Sequence, residues 1–150
     1  MKTSIHILSL VILIFGNIAC EKYSEGGNKK KAEQNLTNVW EIEYYFLDGV
    51  DKTDELFISN YNETFADDGT YVRFYTDGNG NEVSQTGSWT LTNNSDSVNF
   101  SGGGAYDLTP GATAVSTSSY TIFKLKKKEL WYSFESSGST HHFRMVVKEE

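Results

Sequence analysis

Phe65-Ala-Asp-Asp-Gly-Thr-Tyr-Val-Arg-Phe-Tyr-Thr76, Asp77-Gly-Asn-Gly-Asn81 and Glu82-Val-Ser-Gln-Thr-Gly-Ser-Trp-Thr-Leu91 form the stretch that decides the fold. Asp68-Gly69 and the 77–81 cluster supply residues that tolerate φ > 0. The runs between them are rich in Val, Tyr, Phe, Thr and Trp, so the pattern reads as consecutive antiparallel hairpins. In 70–76, Val72 and Phe74 share one face and Tyr71, Arg73 and Tyr75 the other. In 82–91, Val83, Gln85, Gly87, Trp89 and Leu91 share a face, and Trp89 and Leu91 are expected to point inward. A glycine inside a strand, as at Gly87, marks a bend, a bulge or a close approach of another backbone.

The same alternation extends both ways. Trp40 to Leu47 reads as the opening strand, with Trp40, Ile42, Tyr44 and Phe46 on the core face. Asp48-Gly49 turns the chain into Asp51–Asn60, a short helix or a bent connection, and Asn62–Phe65 starts the next strand. Beyond Leu91, the 93–96 cluster turns into Ser97–Phe100. Ser101–Ser118 is a long irregular piece containing Pro110, the single proline, and three consecutive glycines. It reads as a lid or as loose surface, with loose surface favoured. Tyr120–Leu125, Leu130–Glu135 and His141–Lys148 close the series. About eight short strands joined by tight turns make this an all-β chain, an antiparallel up-and-down barrel or a sandwich.

Aromatics at 14% and a single proline suit a strand-rich domain. A net charge of −7 argues against nucleic acid as a partner and is ordinary for a solubilised surface. The one cysteine, Cys20, rules out an internal disulfide. It follows a leader in which Met1-Lys2-Thr3 gives a short positive start and Ile5 to Phe15 an apolar run of about 11 residues. That run is too short to span a bilayer, so 1–19 reads as a signal peptide. Glu21 to Asn35 is polar throughout, and 20–35 is expected to be a flexible tether reaching about 20 Å. The folded domain is then 36–150.

Ile18-Ala19-Cys20 resembles a bacterial lipobox, with Asn17 where Leu is usual. The resemblance implies that Cys20 is lipidated and that acyl chains hold the protein in a bacterial membrane, with the outer membrane the expected one. Several long chains hold far more firmly than the one marginal chain. The alternative is an ordinary secretory signal with a chance cysteine. Val39-Trp40-Glu41-Ile42, Phe65 with Asp68-Gly69-Thr70-Tyr71, Gly87-Ser88-Trp89-Thr90-Leu91, Tyr120 to Leu125 and Glu129-Leu130-Trp131 together resemble the lipocalin-like lipoproteins of Bacteroidota. That resemblance implies a barrel closed at one end, with a small apolar pocket, and brings no catalytic residues.

The candidate ligand-binding residues are Arg73, Tyr71, Tyr75, Trp131 and His141. An interior Arg73 between two phenols would hold a carboxylate or phosphate head; an exterior one would belong to a solvated, stacked face, and the exterior is the expected placement. Of Trp131 and Tyr132, one must face outward or into a cavity. His141 and His142 are adjacent in a strand and point to opposite faces, so they do not jointly hold a metal. There is no Gly-x-Ser-x-Gly elbow, no phosphate-binding glycine loop and no cofactor motif, and catalysis is not expected. Trp40, Phe74, Trp89 and Phe143 are expected inside, where they would fill an eight-stranded barrel. Two functions remain: binding of a small hydrophobic or amphipathic ligand, or a filled module that meets an envelope protein or a glycan through its loops.

Overall fold

The computed structural model describes residues 29–92, 95–102, 108 and 118–149. The leader, Cys20 and most of the 101–118 piece lie outside the described residues. Nine strands follow one helix: α1 (Lys29–Leu36), β1 (Val39–Leu47), β2 (Val50–Asp51), β3 (Ser59–Phe65), β4 (Thr70–Thr76), β5 (Glu82–Leu91), β6 (Ser97–Gly102), β7 (Ser119–Lys126), β8 (Glu129–Ser136) and β9 (Ser139–Val147). The Asp51–Asn60 connection contains a 3₁₀ turn at Thr53–Glu55. From β3 to β9 each strand pairs antiparallel with its sequence neighbour, and β1 pairs with both β3 and β9. The sheet therefore closes into an eight-stranded up-and-down barrel, with β2 an extra two-residue strand on β1.

The turn chemistry places the hairpins. The Asp77 carboxylate accepts the backbone N–H groups of Asn79 and Asn81 (2.9 and 2.8 Å), and these bonds hold its pKa below the ordinary value. Gly87 on β5 faces Ser101 and Gly102 on β6 so closely that a Cβ would run into the Ser101 carbonyl oxygen. It is a close backbone approach, one of the devices expected at that position.

Three expectations need correction. The 29–35 part of the expected tether is helical and continues to Leu36, because Ala32 and Leu36 find a place to bury, 1% and 0% exposed, against the barrel end beside β7. The helix's last carbonyls are also satisfied: Leu36 accepts the Trp40 indole N–H at 2.9 Å, Asn35 the Asn38 amide, and Glu33 both the backbone N–H and the hydroxyl of Thr37. On β1 the core face is not Trp40, Ile42, Tyr44 and Phe46 throughout. A bulge at Glu43, between Ile42 and Tyr44, shifts the register against β9 and reverses the alternation. Tyr45 becomes fully buried, while Tyr44 is exposed. Phe74 points outward, because Tyr71, Arg73 and Tyr75 take the inner face of β4.

Up-and-down connectivity gives the barrel two unlike ends. Helix α1 plugs the end that carries the β3–β4, β5–β6 and β7–β8 turns. The other end carries the β1–β2, β4–β5 and β8–β9 turns and the β2–β3 connection. There Leu108 is buried, and its carbonyl accepts the Phe57 N–H at 2.7 Å.

Candidate functional site

The middle of the barrel is built on one cross-strand pair. Glu63 on β3 stands opposite Arg73 on β4, and the alternation of each strand turns both inward, with Glu63 0% and Arg73 5% exposed. A bare carboxylate there would cost several kcal/mol, so partners are obligatory. Four tyrosine hydroxyls supply them. Tyr61, Tyr71 and Tyr120 donate to Glu63 Oε1 at 2.6, 2.7 and 2.7 Å, and Tyr132 donates to Oε2 at 3.1 Å. Arg73 lies 3.5 Å from the same Oε1, and its own N–H groups reach the Tyr120 hydroxyl (2.7 Å), the Gln85 amide oxygen (2.9 Å) and the Tyr61 hydroxyl (3.2 Å). Burial, and after it the neighbouring Glu63 carboxylate, push the Tyr71 hydroxyl well above the ordinary tyrosine pKa.

Rings pack around this cluster in layers. Tyr120 stacks on Tyr132 at 4.0 Å and lies 4.3 Å from Phe100; Phe65 and Tyr71 sit 5.2 Å apart. Toward the end away from α1, Tyr61 stacks on Tyr75 (6.5 Å) and Phe143 (6.3 Å). Beyond them the His141 ring lies flat on Phe134, and its Nδ1 is 2.9 Å from the Tyr45 hydroxyl. Burial pushes His141 below the ordinary histidine pKa.

The candidate residues therefore separate. Tyr71 and Arg73 belong to the central cluster, Tyr75 lies one layer above it and His141 above that. Arg73 is interior, against the exterior placement expected for it, because Glu63 across the strand pair balances its charge. Trp131 lies on the other side of the wall, with the Lys124 ammonium and the Arg144 guanidinium 4.1 and 4.5 Å from its ring centre, while Tyr132 takes the inner position. His141 and His142 do point to opposite faces: His142 is outside, stacked on the exposed Phe123. Glu63 and Gln85 were not singled out by the sequence pattern, nor were the tyrosines at 61, 120 and 132 as its partners. The available signal was Tyr61-x-Glu63-x-Phe65, which puts a carboxylate in phase with two core aromatics.

Depressions break the outer surface of the described residues, and two of them bear on the site. One, of about 440 Å³, lies beside α1 at the plugged end, between Lys29, Lys30 and Glu33 and the Asp67-Asp68-Gly69 turn. The other, of about 240 Å³, is an opening in the outer wall between β1 and β3, lined by Glu41, Ile42, Thr53, Leu56, Ile58, Ser59, Asn60 and Tyr61. Pairing of β1 with β3 runs only from Val39–Thr64 to Glu41–Asn62, and past that point the strands part.

No family model matches this chain, and no curated protein does. Among solved structures, a lipocalin-like protein from Bacteroides uniformis aligns at 15% identity and a TM-score of 0.48, over 73% of this chain and 97% of its own. An uncharacterized protein from Bacteroides eggerthii aligns at 12% and 0.47, over 73% and 98%. Apocrustacyanin C1 aligns at 12% and 0.41, over 83% of this chain and 71% of its own. What the strand order itself establishes is a closed, eight-stranded, antiparallel up-and-down barrel.

Proposed function

We propose that this chain is a lipid-anchored protein of the bacterial cell envelope that works by binding and not by catalysis, as a barrel with a filled middle that meets an envelope protein or a glycan through its loops. The central cluster carries this reading. Its carboxylate, guanidinium and four hydroxyls are engaged with one another, so a ligand head entering there would have to displace internal partners and leave a buried charge behind. The address rests on the Ile18-Ala19-Cys20 pattern. Cys20→Ala is expected to move the protein out of the membrane fraction and to remove the acyl mass from its N-terminal peptide. Unchanged partitioning, with no acyl mass on the parent chain, contradicts the anchor.

A lipocalin-like barrel is also compatible with a small hydrophobic or amphipathic ligand, and the wall opening between β1 and β3 is the observation that favours this second reading. Native mass spectrometry of the protein purified from its own host's envelope separates the two. A bare chain together with a specific protein or glycan partner is the expected result. A stoichiometric small molecule on the chain transfers the assignment to the second reading.

A further inference from the structure

We infer that the opening between β1 and β3 is a binding site for a small amphipathic amine, an ammonium head on an apolar body no larger than about one aromatic ring or a short alkyl chain. The inference rests on the small-ligand reading and deepens it, and it leaves the filled middle intact, because the lining of the opening includes none of Glu63, Tyr71, Arg73, Tyr120 or Tyr132.

The opening is built by the backbone. β1 bulges between Ile42 and Tyr44, and β3 loses register against β4 between Ser59 and Asn62, where Asn60 adopts φ 54°. Two bulged edges therefore face each other just where β1–β3 pairing stops at Glu41–Asn62. The 3₁₀ segment forms the roof and is pinned: the Thr53 hydroxyl accepts the Tyr45 N–H at 2.9 Å and donates to Asp51 at 2.7 Å. A pinned roof keeps the opening formed before any ligand arrives.

Its lining divides by chemistry. Ile42, Leu56, Ile58 and the Tyr61 ring form the apolar floor, with Ile58 and Tyr61 each 7% exposed and the other two packed on the core. Tyr61 turns its hydroxyl inward to Glu63, which leaves ring, not hydroxyl, toward the opening. The rim carries Glu41, Ser59 and Asn60. Among the described residues the Glu41 carboxylate has no hydrogen bond or ion pair. The charged groups nearby in the chain are mostly acidic: Glu43 on the bulge, Asp51 against Thr53, Asp54 and Glu55 on the 3₁₀ turn. The cation among them, Lys52, is already bound to Glu55 at 2.8 Å. The Arg144 guanidinium of β9 also acts on Asp51, so the preference for a cation rests on Glu41: an ammonium meets a carboxylate without a partner among the described residues and an aromatic ring. At about 240 Å³ the space lies below the range of drug-sized pockets, which sets the limit on the ligand body.

The test uses the full chain, ¹⁵N-labelled, and three probes of matched body: 2-phenylethylamine, 2-phenylethanol and 3-phenylpropanoate. The amine is expected to shift the amide signals of Ile42, Ile58 and Tyr61 saturably, the alcohol to bind roughly tenfold more weakly, and the carboxylate not to bind. Glu41→Gln should bring the amine down to the level of the alcohol, and Ser59→Trp on the exposed rim should block both without changing the circular dichroism spectrum. Equal binding of the three probes, or an amine affinity untouched by Glu41→Gln, overturns the inference. Saturable shifts confined to His141 and Tyr75 overturn it while leaving the small-ligand reading standing. No saturable shift from any probe, with a bare chain in native mass spectrometry, overturns both.

Discussion

Strand β3 takes part in two regions that treat polarity in opposite ways. At mid-barrel, Glu63 is fully buried and surrounded by four hydroxyls and a guanidinium. A few residues earlier, at Ser59 to Tyr61, the strand runs beside a gap whose nearest carboxylate, Glu41, has no partner among the described residues. Tyr61 belongs to both: its hydroxyl completes the cluster and its ring floors the gap. Buried charge has to be compensated inside the fold, and compensation makes the region rigid and closed to ligands. A charge at a solvent-wetted rim carries no such demand and stays available.

The contrast can be broken by mutation. The largest loss is expected for Glu63→Gln, which leaves the Arg73 guanidinium buried without its counter-charge, about 3–5 kcal/mol in denaturant unfolding. An effect under about 0.5 kcal/mol would mean that the middle is wetter than the geometry describes. Thr53→Val acts on the roof of the gap and removes one acceptor from the Tyr45 N–H. It should cost about 1 kcal/mol and leave the central cluster intact, read as an unchanged near-ultraviolet tyrosine spectrum.

A smaller effect concerns pH. Burial lowers the His141 pKa, so the unfolded chain binds protons that the native state resists. Stability is therefore complete above about pH 6.5 and declines as the pH falls through the ordinary histidine range toward the lowered native value. His142, lowered by burial and then by Arg144, adds to the same slope. His141→Gln should flatten part of that slope in thermal melts at pH 5 to 7. An unaltered slope would place the titration elsewhere.

Much of the fold was legible because period-2 alternation and Asp/Gly/Asn turns are local signals. The β4–β5 hairpin, the inward Trp89 and Leu91 and the tight approach at Gly87 all follow from them. The face of Arg73 was not legible, since β4 carries large apolar or aromatic residues on both sides: Val72 and Phe74 on one, Tyr71 and Tyr75 on the other. Only the partner across the strand decides, and that partner is Glu63, a carboxylate in a segment that reads as polar. The bulge at Glu43 leaves no local mark in Glu-Ile-Glu-Tyr-Tyr-Phe, so the phase of β1 was carried too far. Helix α1 was hidden for a different reason. Its eight residues are almost all polar, and the two that matter, Ala32 and Leu36, become informative only against the barrel end that receives them.

A double-mutant cycle on Glu63→Leu and Arg73→Met bears most directly on the sealed middle. Each single change should cost about 3–5 kcal/mol by leaving one charge buried, and the double change should recover much of that loss, giving a large favourable coupling. Small, additive losses would contradict it, and the barrel would then have to be read as an open, hydrated calyx.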